Sequence, residues 1–416
     1  MQCITAYRIG ITVFDLPRSV RNFESTIKVV SKMIRVVRPF VNNRMAVYLA
    51  KKIFNLNLNE SSSSTIVKEL NSFEARCFYL RGSLPNDRER EFTLKVCKFA
   101  DLGEKKGIID ELNDVMIRLN NRGIPCSIPQ QTSNGQLYEM RKLSATRDRH
   151  THEAHNKSEN SPLDCVVRLL SYIPGDNMRG VPCDLNMFYQ VGCLAAEIDK
   201  VLKGFVCPTL QTRSLRWDLN NLPMATSVSN IIKEPEYKEL LHNVEDIFEN
   251  RIEPKLGYLP KQCIHADINE TNIIFKENSK RYDAAGVIDF DLASYNCRVF
   301  EVSASAAYMM TIHSEDPIEA GAYTVAGYQL NNPLTTEESD LIFYLIQARM
   351  YQSVCYGTLA SQIYPQNSNY LLYTVQRAWK TLQILANTSK SRFDDRWQQL
   401  CYNQSQTPKC FGKIKW

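Results

Sequence analysis

The sequence predicts an α+β chain in two parts, a small lobe built on an antiparallel sheet followed by a mainly helical half. Three observations carry this expectation. Short β-type runs, TIVKEL, CFYLRG and EFTLKVCKF, crowd together near the start, with Pro85, Asn86 and Asp87 as turn residues between the last two, the pattern of paired strands. Further on, apolar residues recur at helical spacing in FYQVGCLAAEIDKVLKGF, over residues 335–360 and over residues 369–386. The only β signals of that second half flank one segment, residues 263–291, CIHADINETNIIFKENSKRYDAAGVIDFD.

The elements follow in order. Met45, Leu49, Ile53 and Phe54 place a helix between Arg44 and Leu58, ended by the polar run Ser61 to Ser64. After the strands, Ile109, Leu112, Val115, Met116 and Leu119 share one helical face, and Gly123 with Pro125 stops that helix. CVVRLLSYIPG reads as a buried strand running into a hinge at Pro174 and Gly175. We therefore expect an N-terminal extension of unassigned role over residues 1–38, a nucleotide-binding N-lobe over 39–172, a catalytic C-lobe over 173–390 and a loosely held tail over 391–416. Residues 143–163 have almost no apolar content and read as a solvated insertion; His150, His152 and His155 within it lack a fourth ordered ligand and are not taken as a metal site.

Composition bounds the function. With 416 residues, 44% hydrophobic and 23% charged, the chain can bury a sizeable core. Its 50 basic and 45 acidic residues give a net charge of only +5, too mixed for a nucleic-acid-binding surface. The 13 cysteines form no CxxC pair and read as reduced thiols of an intracellular protein. No stretch approaches the roughly 18 apolar residues of a membrane span. Basic residues outnumber acids over residues 1–38, which raises a mitochondrial presequence, but Asp15 and Glu24 favour the cytoplasm.

The segment 263–291 carries the chemistry. Asp267, Asn272 and Asp289 sit beside apolar strand-like runs, as a base and two Mg²⁺ ligands do at a phosphoryl-transfer site. Such a reaction asks the protein for metal ions and positioning rather than covalent chemistry. Asp289 and Asn272 offer hard oxygen donors, Asp267 would orient the acceptor hydroxyl, and His265 would brace the loop. A cation for the phosphates should lie on a strand of the N-lobe; Lys95 is the candidate and Lys98, of opposite parity, the solvent-facing one. An acid on the following helix, Glu111 or Asp110, should hold Lys95.

These pieces, with ELNSFEARCFYL, RLLSYIPG, VGCLAAEIDKVL, GVIDFDLASY and the run from VFEVSASAAYMM to AGYQLNNPLT, resemble the aminoglycoside phosphotransferase and choline kinase superfamily, and more narrowly the hydroxylysine kinase family. The resemblance spans about residues 40–390 and implies a bilobal protein-kinase-like fold. It implies transfer of phosphate from GTP (or ATP), with Mg²⁺, to 5-hydroxy-L-lysine in amino-acid catabolism. It also implies that the loop Ser72 to Phe78 covers the nucleotide and that the backbone at Leu170 to Tyr172 faces the purine. Asp291, Glu301 and Arg349 are the candidates for contact with the amino-acid acceptor. Choline, homoserine or an aminoglycoside is the competing acceptor, and a pseudokinase the competing class. Ala266 stands where the family has glycine, and its methyl group is costly only if that position needs φ > 0. The sequence gives no oligomeric state.

Overall fold

The computed structural model describes residues 37–58, 67–72, 74–103, 105–145, 162–279, 281–313, 315–363 and 368–406. The extension before residue 37 and most of the 143–163 insertion, its three histidines included, lie outside these. Two compact units divide the described residues: one takes in residues 37–175 and the return Ala285–Asp291, the other Asp176–Ala284 and residues 292–406.

In the first unit, α1 (Asn43–Phe54) starts where the Asn42 side chain accepts the Met45 N–H, and ends at Asn55 in the left-handed region. Strands β1 (Val67–Leu70), β2 (Arg76–Gly82) and β3 (Arg90–Lys98) form the expected antiparallel meander. Helix α2 (Lys106–Asn121) buries Ile109, Leu112, Val115, Met116 and Leu119. Strands β4 (Glu139–Leu143) and β5 (Leu163–Ser171) complete a five-stranded sheet in the order β1-β2-β3-β5-β4. Strand β4, mostly half-exposed and of mixed polarity, carries no alternating apolar pattern and was not expected.

Strand parity decides the faces of this sheet. Phe78, Leu94 and Leu169 stand in register across three strands, buried with Ala46, Leu49 and Ile53 of α1. One residue along, Cys77, Lys95 and Arg168 form the adjacent row, on the opposite face.

The second unit opens with β6 (Asp176–Asn177) and α3 (Leu185–Leu202), capped by Asp184. It continues through α4 (Pro235–Ile247) and the strands β7 (Lys261–Ile264), β8 (Ile273–Asn278), β9 (Arg281–Val287), whose end from Ala285 on belongs to the first unit, and β10 (Ser294–Cys297). Five helices follow: α5 (Val299–Ile312), α6 (Pro317–Asn331), α7 (Thr336–Ile363), α8 (Ser368–Ala386) and α9 (Lys390–Gln406). A Cβ on Gly192 of α3 would stand 1.9 Å from the Thr324 carbonyl oxygen of α6; glycine there lets the two backbones touch. The tail expected from residue 391 is instead α9, held by the buried Phe393, Trp397 and Leu400, since three apolar positions at helical spacing suffice to dock one face. No helix among the described residues is long and apolar enough to cross a membrane, and the cysteines among them are free thiols, most of them buried.

Candidate active site

The candidate residues form two constellations, one in each unit. In the sheet unit, Lys95 is 6% exposed and Arg168 only 1%. Two like charges directly opposed across paired strands repel, so something must offset them. Asp291 does: its carboxylate lies 2.9 Å from the Lys95 ammonium and 2.5 Å from the Arg168 guanidinium. Asp289 adds a second contact to Lys95 at 2.7 Å. Burial disfavours the charge on Lys95, but Asp289 and Asp291 outweigh it and hold the ammonium protonated above its ordinary range. Burial likewise opposes ionisation of Asp291, yet Arg168 and then Lys95 hold its carboxyl well below the usual carboxylate range.

Two expectations are corrected here. The acids that hold Lys95 are Asp289 and Asp291, not Glu111 or Asp110 of α2. Asp291, expected to touch the acceptor, is committed to Arg168 and Lys95. Sequence reasoning missed Arg168, although one charge inside the apolar run CVVRLLS was a visible signal, because a buried arginine requires a partner. Lys98 pairs loosely with Asp101, at 3.8 Å, as a surface lysine does.

Gly286 explains how the strand leading to Asp289 is held. At φ 157° it brings the backbone against Pro125, whose carbonyl oxygen would lie 2.8 Å from an added Cβ. The Val287 N–H donates to that same carbonyl at 3.0 Å. Asp289 itself has φ 64°, a left-handed conformation that a short polar side chain tolerates. Burial pushes the Cys77 thiol up. At the end of β5, the Ser171 N–H donates to the Ile128 carbonyl and the Tyr172 N–H to the Glu91 carbonyl. Those two amides are therefore committed within the protein.

In the helical unit, both Asp267 carboxylate oxygens accept from side-chain amides, Oδ1 from Asn269 at 2.9 Å and Oδ2 from Asn272 at 2.8 Å. The Asn272 amide nitrogen also donates to the Asp267 carbonyl at 2.9 Å. Two acceptors around one nitrogen fix the orientation of the amide, and Oδ1 of Asn272 is turned the other way, toward the Thr271 hydroxyl that donates to it at 3.4 Å. Asn269, which the sequence reading passed over, ties the loop by accepting the Thr271 and Asn272 N–H groups. His265 is fully buried and its Nδ1 accepts the Asp267 N–H at 3.2 Å, which braces the loop. Glu270 pairs with Arg179 at 2.5 Å beside this loop.

Ala266 has φ 66°. The position does require the left-handed region, and a Cβ there costs about 1 kcal/mol. Its N–H donates to the Glu301 carboxylate at 2.9 Å, so the strained turn is held from below. Glu301, expected at the acceptor, is instead completely buried beneath the loop. Burial pushes its carboxyl up to about 7, against the stabilising N–H groups of Ala266 and His265. Because the folded value exceeds the unfolded one, the native state binds the extra proton and stability falls as pH rises from about 4.5 to about 7. Glu301→Gln is expected to flatten this dependence by roughly 3 kcal/mol, leaving the part due to Asp199, whose carboxyl is also raised by burial and by Glu301. Urea unfolding at pH 5 and pH 8 measures it; equal slopes in both proteins would refute the assignment.

A family model described as phosphotransferase enzyme family matches residues 83–338. The chain belongs to this family. It is 28% identical over 373 residues to a hydroxylysine kinase of Xenopus laevis, covering 86% of this chain and 94% of that protein. A hydroxylysine kinase of Bos taurus is 25% identical over 374 residues, covering 87% and 94%. Among solved structures, an aminopropanol kinase aligns with a TM-score of 0.56 at 14% identity, over 79% of this chain and 95% of that one. An amicoumacin kinase in complex with AMP-PNP and Ca²⁺ gives 0.55 at 15% identity, over 82% and 94%. These likenesses show the α+β, kinase-like fold that the sequence predicted, and family membership makes the chain a phosphotransferase.

Proposed function

We propose that the chain transfers the γ-phosphate of GTP to the hydroxyl of 5-hydroxy-L-lysine, in the cytoplasm, as a step of amino-acid catabolism. The observation that carries this reading is the pairing of Asp267 with the amides of Asn269 and Asn272, in a chain similar over most of its length to hydroxylysine kinases. Asp267 accepts a hydrogen bond from the acceptor hydroxyl and aims its oxygen for in-line attack. The two amides hold the carboxylate in one rotamer, so orientation costs nothing at the moment of reaction. Lys95, kept protonated by its aspartates, neutralises phosphate charge. The loop Ser72 to Phe78 covers the nucleotide.

The donor set suits a hard divalent cation. Asn272 Oδ1 and the half-exposed carboxylate of Asp289 would hold Mg²⁺, which takes one or two protein oxygens and completes its shell with phosphate and water. When bound, the ion draws charge from the phosphate oxygens.

Phosphate transfer from GTP and from ATP, each measured with 5-hydroxy-L-lysine, homoserine, choline and an aminoglycoside, tests the proposal. The expected result is Mg²⁺-dependent turnover of hydroxylysine with GTP preferred. Turnover of another acceptor alone would replace the substrate, and no turnover of any of them would favour a pseudokinase.

A further inference from the structure

Arg349 lies within α7 and is only 3% exposed. A guanidinium does not lose its proton in a protein, so a full positive charge sits inside the helical unit. It makes no ion pair among the described residues. Its Nη1 donates to the neutral amide oxygen of Gln352 at 3.1 Å, and its Nε has no partner. Gln352 in turn donates to the Asp218 carbonyl at 2.8 Å, so the guanidinium is mounted on a fixed support. Buried charges are ordinarily paired with opposite charge; this one is not.

The surroundings show what it faces. Arg349 lines a small cavity with Ala266, Trp217, Asp218 and Asn296. The space is about 10 Å³, room for one water-sized group such as a single carboxylate oxygen. Ala266 adjoins Asp267 in the chain, and the Tyr308 ring lies within electrostatic reach of both Arg349 and Asp267. Asp218 and Glu301 act on Arg349 only through space, and neither forms an ion pair with it.

We propose that Arg349 binds the carboxylate of the acceptor and so makes the site select hydroxy amino acids over acceptors whose only charges are cationic. This rests on the acceptor being an amino acid, as proposed above. A guanidinium N–H donates a charge-assisted hydrogen bond to a carboxylate oxygen, roughly twice as strong as a neutral one. A choline or an aminoglycoside would instead bring like charge toward an unpaired buried cation.

The test compares 5-hydroxy-L-lysine with 1,5-diaminopentan-2-ol, which keeps the hydroxyl and both amines and lacks the carboxylate. Wild type is expected to favour the acid by roughly 100-fold or more in kcat/KM. Arg349→Met should narrow that ratio below about tenfold, with the loss appearing in KM for the acid, and Arg349→Lys should restore part of it. Without ligand, Arg349→Met should melt no lower than wild type, because it removes an unpaired charge, and it should lose the upward melting shift that hydroxylysine gives. Equal use of the two compounds by wild type, or an equal loss on both in Arg349→Met, overturns the proposal. Should Arg349→Met fail to fold, Arg349→Lys decides, and a ratio unchanged from wild type in that variant overturns the proposal. If hydroxylysine is not turned over but homoserine is, the substrate reading fails while Arg349 keeps its role. Turnover only of choline or an aminoglycoside, or of no acceptor, overturns both.

Discussion

Asp267→Asn is expected to lower kcat by about 10² to 10⁴-fold while the protein keeps its melting temperature and binds nucleotide. Two effects add. The asparagine cannot accept the hydroxyl proton, and it presents an amide where both Asn269 and Asn272 now donate to carboxylate oxygens. One of those partners must then turn over. If Asn272 turns, its nitrogen replaces the oxygen proposed for Mg²⁺, so the apparent affinity for Mg²⁺ should also fall. Single-turnover rates over a Mg²⁺ titration separate the two contributions. Activity within a factor of a few of wild type would remove Asp267 from its assigned role.

The second large effect is on stability. Asp291→Ala is expected to cost about 3 to 5 kcal/mol, because it leaves the buried Arg168 and its neighbour Lys95 facing one another with Asp289 alone as counter-charge. The cost should shrink in the double variant Arg168→Met with Asp291→Ala, since removing both charges avoids an unpaired one. In wild type, the low folded pKa of Asp291 means its contribution is present above the unfolded carboxylate value near 4 and lost as pH falls below it. Urea midpoints of the two variants and of wild type at pH 7 provide the measurement. A loss below about 1 kcal/mol in Asp291→Ala would show that the cluster is not structural.

Both expectations concern residues on one short segment, and they were unequally legible. Asp267 and Asn272 could be read directly, because their spacing beside apolar strands is local and the amide–carboxylate pairing closes within a single loop. Lys95 was legible through strand parity, which separates it from the core row of Phe92 and Leu94. The helices that bury one face were equally plain. Strand β4 was not, since an edge strand with a half-exposed pattern carries little periodicity.

The sequence by itself determined the α+β class, the order of the main elements and the residues that resemble a phosphoryl-transfer loop, all of them set by spacing within short windows. Only the tertiary structure decided what the neighbouring charges do. Asp291 and Arg168 are 123 residues apart, and Glu301 reaches Ala266 across 35, so no local pattern could pair them. It also decided that Ala266 occupies a left-handed turn and that Arg349 is buried with no ion pair among the described residues. Burial sets the cost of a charge, and burial is fixed by which distant segments pack together.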